Sequence, residues 1–199
     1  MGFAPRGFGD TMDGWGRFAE RRGVLIPSPG TGAPVSVEKP ALRVKITGGV
    51  LALLARFLSG ASVRWIDSQP DTCQRVYFAN HTSHLDAIVI WSALPPEVRS
   101  LTRPVAAKDY WTAGRVRQYL ATQVFNALLI DRTEIKVHQS PVDVMIREIG
   151  HRYSLIVFPE GGRSSGQEIG EFKSGLYYLC KKRPDLELIP VYIDNMNRI

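Results

Sequence analysis

The sequence contains no apolar run long enough to cross a membrane. Its longest charge-free stretch near the front extends from Ile46 to Ala55, between Lys45 and Arg56, well short of the ~20 residues that a spanning helix needs. Cysteine is scarce. Cys73 and Cys180 show neither metal-ligand spacing nor a disulfide framework, and two isolated thiols suit a reducing compartment. Cys180 sits in a helical-looking run beside Leu176 and Leu179, which reads as a buried thiol. The opening residues MGFAPRGFGD lack a charged segment followed by an apolar core, so a secretory signal is not expected. Arg6 stands where an N-myristoylation motif wants Ser or Thr. There is no internal repeat and no low-complexity tract. The basic residues are scattered, without the aromatic-basic motifs of nucleic-acid readers, so nucleic acid is not an expected partner.

What is present fits one globular domain: 199 residues with a formal net charge of +6, long enough to bury a core. A basic balance favours an anionic partner, either a phosphorylated substrate or an acidic membrane face. Residues 1–40 are rich in Gly and Pro, with no sustained period, and read as an extended lead-in. Residues 41–199 read as the folded domain.

From Leu42 to Ser59 the pattern is helical, with Ile46, Val50, Leu51, Leu53, Leu54, Phe57 and Leu58 on one broad arc and Lys45 and Arg56 opposite. Such a helix either packs on the core or lies in a membrane interface. Beyond it, short β-rich runs alternate with helical ones. Arg75–Ala79, Pro104–Ala107, Ala127–Ile130, Leu155–Phe158 and Glu187–Ile193 read as strands. Leu85–Ala93, Asp109–Val124, Pro141–Arg152 and Gly175–Lys182 read as helices. This alternation predicts an α/β fold, a mainly parallel sheet covered by helices. Sites in such folds form in loops at the carboxyl ends of strands.

Two of those loops hold the chemistry. After the first strand comes Asn80-His81-Thr82-Ser83-His84-Leu85-Asp86. His81 and Asp86 are five residues apart, which on a continuous helix sets them about 140° apart; they meet only if His81 lies in the turn before the helix. There a neutral imidazole could take a proton from an alcohol near pH 7, with a carboxylate fixing its tautomer. Two other readings stand beside this one: a Ser83-x-x-Asp86 capping box with incidental histidines, and metal binding by His81, His84 and Asp86, which no second ligand cluster completes. After the Leu155–Phe158 strand comes Pro159-Glu160-Gly161-Gly162-Arg163-Ser164-Ser165. Its glycines free backbone amides for an anion, and Arg163 offers a fork for phosphate oxygens. Glu160 would repel phosphate, so it either accepts a bond from a substrate hydroxyl or holds the loop. Leu128-Leu129-Ile130-Asp131-Arg132 brings a second guanidinium to a strand end, with a surface ion pair as the default reading. Ile189-Pro190-Val191 puts a proline inside a strand, which implies an edge or a bulge.

In this order and spacing the set resembles the glycerolipid acyltransferase family, whose best-known members acylate lysophosphatidic acid. NHTSHLD matches the family's Asn-His-x4-Asp block, LLIDR resembles the second block, FPEGGRS the third and IPV the fourth. Phe172-Lys173-x-Gly175 also sits where the family has a Phe-Lys-x-Gly stretch. The likeness runs from about residue 41 to the end. Two departures stand out: Gly162 replaces a frequent Thr, and Asn126 replaces a usual Gly. The family's domain commonly continues past the fourth block, whereas the sequence stops at Ile199.

The resemblance implies His81 as general base, Asp86 as its orienter, and Arg132, Glu160, Gly161 and Arg163 lining an acceptor's phosphate site. It implies acyl-CoA or acyl carrier protein as donor, with no acyl-enzyme, no metal and no further cofactor. The expected acceptor is a phosphate-bearing lysolipid, met at an anionic membrane on its cytoplasmic face.

Overall fold

The computed structural model describes residues 42–131, 140–164 and 169–194. The lead-in of residues 1–40 and the candidate Arg132 lie outside the described residues.

Five strands, β1 (Arg75–Ala79), β2 (Thr102–Ala107), β3 (Leu128–Ile130), β4 (Ser154–Val157) and β5 (Glu187–Val191), form one sheet in the order β3-β2-β4-β1-β5. Every pairing is parallel, with Phe78 opposite Val157 on one side and opposite Pro190 on the other. This is the α/β class expected from the alternation. Pro190 lies on the edge strand β5, where a missing backbone N–H costs no ladder bond.

The sheet is buried on both faces, because alternate residues of the central strands feed two separate cores. Tyr77, Ala79 and Ile156 point to one side, against Ile90, Trp91 and Phe125. Val76, Phe78, Leu155 and Val157 point to the other, against Val142, Ile149, Leu176 and Leu179. The first layer of helices comprises α1 (Leu42–Ser59), α2 (Asp86–Ala93) and α3 (Pro96–Ser100). The second comprises α6 (Pro141–Ile149) and α7 (Gly175–Lys182).

The single helix expected over Asp109–Val124 is a chain of three shorter pieces: α4 (Lys108–Thr112), α5 (Arg115–Tyr119) and a π-helical turn over Leu120–Val124. The break falls at Gly114, which takes an extended conformation with φ −166°, a place where a helix gains least from continuing because glycine has poor helix propensity. Its effect is to let Trp111 meet Phe125, with ring centroids 6.1 Å apart, which pins α4 beside the carboxyl end of β2.

Helix α1 packs by its small residues. Gly48 and Ala52 are its buried positions, and a Cβ on Gly48 would sit 3.4 Å from Trp91 Cη2. Leu51 packs on the core beside them, but most of the large apolar residues face outward: Leu42 is 73%, Leu53 70% and Phe57 82% exposed among the described residues. No helix among those residues is long and apolar enough to cross a membrane.

Asn126 adopts φ +47°. Left-handed backbone is tolerated best by glycine and, among residues with a side chain, by asparagine and aspartate. The exchange of the family's usual Gly for Asn126 therefore keeps the turn. Its carbonyl is held by Arg103 Nε at 2.9 Å.

Candidate active site

The parallel sheet sends the carboxyl ends of β1 and β4 to the same edge, side by side, and the two motif loops meet there. β1 runs into Asn80, whose buried amide locks the strand end to the segment after β5. Asn80 Nδ2 donates to the Ile193 carbonyl at 2.9 Å, and Ile193 N–H donates to Asn80 Oδ1 at 2.8 Å. His81 follows in the turn, ahead of α2.

The turn brings His81 and Asp86 into contact. His81 Nδ1 lies 2.9 Å from Asp86 Oδ2, and the same oxygen accepts the N–H groups of Thr82 at 2.7 Å and Ser83 at 2.9 Å. Ser83 Oγ in turn accepts from Leu85 N–H at 3.3 Å. The capping arrangement and the imidazole–carboxylate pair thus share one oxygen and do not compete. Asp86 is 0% exposed and the His81 side chain 21% exposed. A carboxylate on Nδ1 places the ring proton there and leaves Nε2 with its lone pair. Phe158, the last apolar residue before the second loop, stacks on the imidazole at 4.1 Å with an interplanar angle of 21°.

The second loop grips the backbone of His81. Glu160 is 8% exposed. Its Oε1 accepts His81 N–H at 2.8 Å, and its Oε2 accepts Gly170 N–H at 3.1 Å. Ser164 completes the hold from the other side: its N–H donates to the His81 carbonyl at 2.8 Å and its Oγ at 3.3 Å. Of the two uses the sequence left to Glu160, this geometry matches holding the loop.

Gly161 has φ +70° and lies under the Lys173 side chain, so a Cβ there would clash with it. Gly162 is different. A Cβ at that position would meet nothing, so the exchange of the family's Thr for Gly162 removes a side chain without a packing demand. Arg163 is exposed, and its charge is felt by His84.

His84 is turned away from the His81–Asp86 pair and stacks on Tyr110 of α4 at 5.2 Å, with Arg117 over the same ring at 4.7 Å. Removal from water holds the His84 pKa below the usual imidazole range, and the nearby charge of Arg163 adds to this. Among the described residues no three His, Cys, Asp or Glu side chains are grouped to hold a metal ion.

Of the six candidates from the sequence, the structure brings His81, Asp86, Glu160, Gly161 and Arg163 to one edge of the sheet. Sequence reasoning gave no site role to Asn80, Phe158, Ser164, Gly170 or Lys173. Their contributions are backbone bonds, stacking and close approach, which leave little trace in residue type beyond the glycine itself.

Comparison with known proteins identifies the family. The acyltransferase family model matches residues 62–194. The 1-acyl-sn-glycerol-3-phosphate acyltransferase of Salmonella typhimurium is 27% identical over 127 residues, covering 60% of this chain and 46% of that protein. The enzyme of the same name from Escherichia coli K12 is 26% identical over 137 residues, covering 62% of this chain and 51% of that protein. The chain therefore spans about half the length of the curated relatives it matches. No solved structure matches.

Proposed function

The chain belongs to the acyltransferase family, and from that premise we propose that it transfers a fatty acyl group from a thioester donor to a hydroxyl of a lysophosphatidic-acid-like acceptor. The observation that carries this reading is the His81–Asp86 pair, 2.9 Å apart, bonded through Ser164 to the loop that carries the exposed Arg163. Arg163 binds the acceptor's phosphate, together with Arg132, and sets a glycerol hydroxyl near His81 Nε2. The imidazole takes the hydroxyl proton as the oxygen attacks the thioester carbonyl carbon. The tetrahedral intermediate then expels the thiolate, which recovers the proton from the imidazolium. An ester bond forms and a thioester bond breaks, with no acyl-enzyme between. Base catalysis of this kind is worth on the order of 10²–10⁴ in rate.

The donor is acyl-CoA or acyl carrier protein. The outward face of α1, with Phe57 82% exposed, is suited to rest on an anionic membrane on its cytoplasmic side. A panel tests the acceptor: purified protein is given both donors with lysophosphatidic acid, glycerol-3-phosphate, a neutral lysophospholipid and an acylamino lipid, and thiol release is followed. The reading expects the fastest release with lysophosphatidic acid. Release that is equally fast with an acceptor lacking phosphate contradicts it.

A further inference from the structure

We propose that Glu160 is a positioning residue for the His81 imidazole rather than a ligand of the acceptor. This rests on His81 being the base and deepens that assignment. Both carboxylate oxygens are already engaged by backbone amides, one on His81 itself at 2.8 Å and one on Gly170 at 3.1 Å. The residue is 8% exposed, so the carboxylate is turned into the protein and away from any arriving polar ligand. A buried carboxylate must find donors, and those it has found fix the point from which the imidazole departs.

The hold is two-sided. Glu160 takes the N–H of His81 while Ser164, four residues later in the same loop, donates twice to its carbonyl at 2.8 and 3.3 Å. With both backbone groups of His81 tied to the loop after β4, and its ring lodged between Asp86 and Phe158, the Nε2 atom is set relative to Arg163 of the same loop. The base and the backbone that carries Arg163 are thus tied together. Gly170 serves the same end, because a Cβ there would press into Glu160 Oε2.

Steady-state kinetics with donor and lysophosphatidic acid varied in turn distinguish positioning from binding. In Glu160→Gln the amide oxygen can accept one of the two N–H groups, while its NH2 confronts the other. We expect kcat to fall by roughly 10- to 100-fold, the scale of a misplacement of about 1 Å, with the acceptor KM within about threefold of wild type. Gly170→Ala should give the same signature although the carboxylate is chemically untouched, and the two changes together should be far from additive. A raised acceptor KM with unchanged kcat in Glu160→Gln overturns the proposal. Thermal melting accompanies each variant. If Glu160→Gln does not fold, Gly170→Ala takes its place, since its Cβ displaces the Glu160 carboxylate: a several-fold drop in kcat with little change in acceptor KM supports the proposal and an unchanged kcat overturns it. His81→Ala is run in parallel. Turnover in that variant defeats the assignment of the base, whereas a wild-type kcat for Glu160→Gln beside an inactive His81→Ala defeats only the positioning role.

Discussion

Replacing Asp86 by Asn keeps the shape of the side chain and removes its charge. In the fold, Oδ2 meets three donors, the His81 ring and the N–H groups of Thr82 and Ser83, at 2.7–2.9 Å. An amide oxygen can occupy the same place, so the turn should survive. The NH2 group would then stand where Oδ1 now lies buried with no hydrogen-bond partner among the described residues, which costs about 1–3 kcal/mol in stability. The larger effect is on the reaction. In the proposed reaction the imidazole takes the acceptor's proton, and a full positive charge then forms about 4 Å from the carboxylate centre. At an effective dielectric of about 20, that pair is worth about 4 kcal/mol. With tenfold in rate for each ~1.4 kcal/mol, losing most of this term lowers kcat by about 10²–10³. The assay is thiol release at saturating donor and acceptor, with the acceptor KM measured alongside and a melting curve to show that the variant is folded. A folded Asp86→Asn protein with kcat within about threefold of wild type would refute the role given to the carboxylate.

Four further outcomes follow from named contacts. His84→Gln should retain kcat within a few-fold, because that ring is spent on Tyr110 at 5.2 Å; a loss as deep as that of His81→Ala would show that the wrong histidine has been chosen. Leu53→Glu with Phe57→Glu should weaken sedimentation with anionic vesicles while leaving the melting temperature near wild type, since both residues face outward, 70% and 82% exposed. Asn126→Val should cost about 1–2 kcal/mol in denaturant unfolding, because a β-branched residue is forced to φ +47°, whereas Asn126→Gly should shift stability by less than about 1 kcal/mol. Burial pushes the Cys180 thiol up to about 11; it stays protonated at pH 8, so iodoacetamide should label it in the native protein far more slowly than after denaturation, as read by mass spectrometry.

The fold class was legible because each strand is a short apolar run and each helix a periodic one. The bounds of α1, Leu42–Ser59, emerge as the periodicity set them. Strand order was not legible. No local pattern says that β4 inserts between β2 and β1, yet that placement sets the Glu-Gly-Gly-Arg loop against His81. The break at Gly114 was also hidden, since the apolar spacing continues through it and only tertiary packing of Trp111 decides the path. Within the site, the meeting of His81 and Asp86 was readable because the proton transfer proposed for them restricts residue type. The direction of Glu160 was not, because a carboxylate that serves backbone amides looks in sequence like one that serves a ligand. The outward arc of α1 was readable as apolar, but which side the core would take depended on Gly48 meeting Trp91.

The most direct test is thiol release from an acyl-thioester in the presence of lysophosphatidic acid by His81→Ala, compared with wild type at equal vesicle binding. The variant should still bind the vesicles and release no thiol above the uncatalysed rate. Sustained, acceptor-dependent release by the folded variant would contradict it.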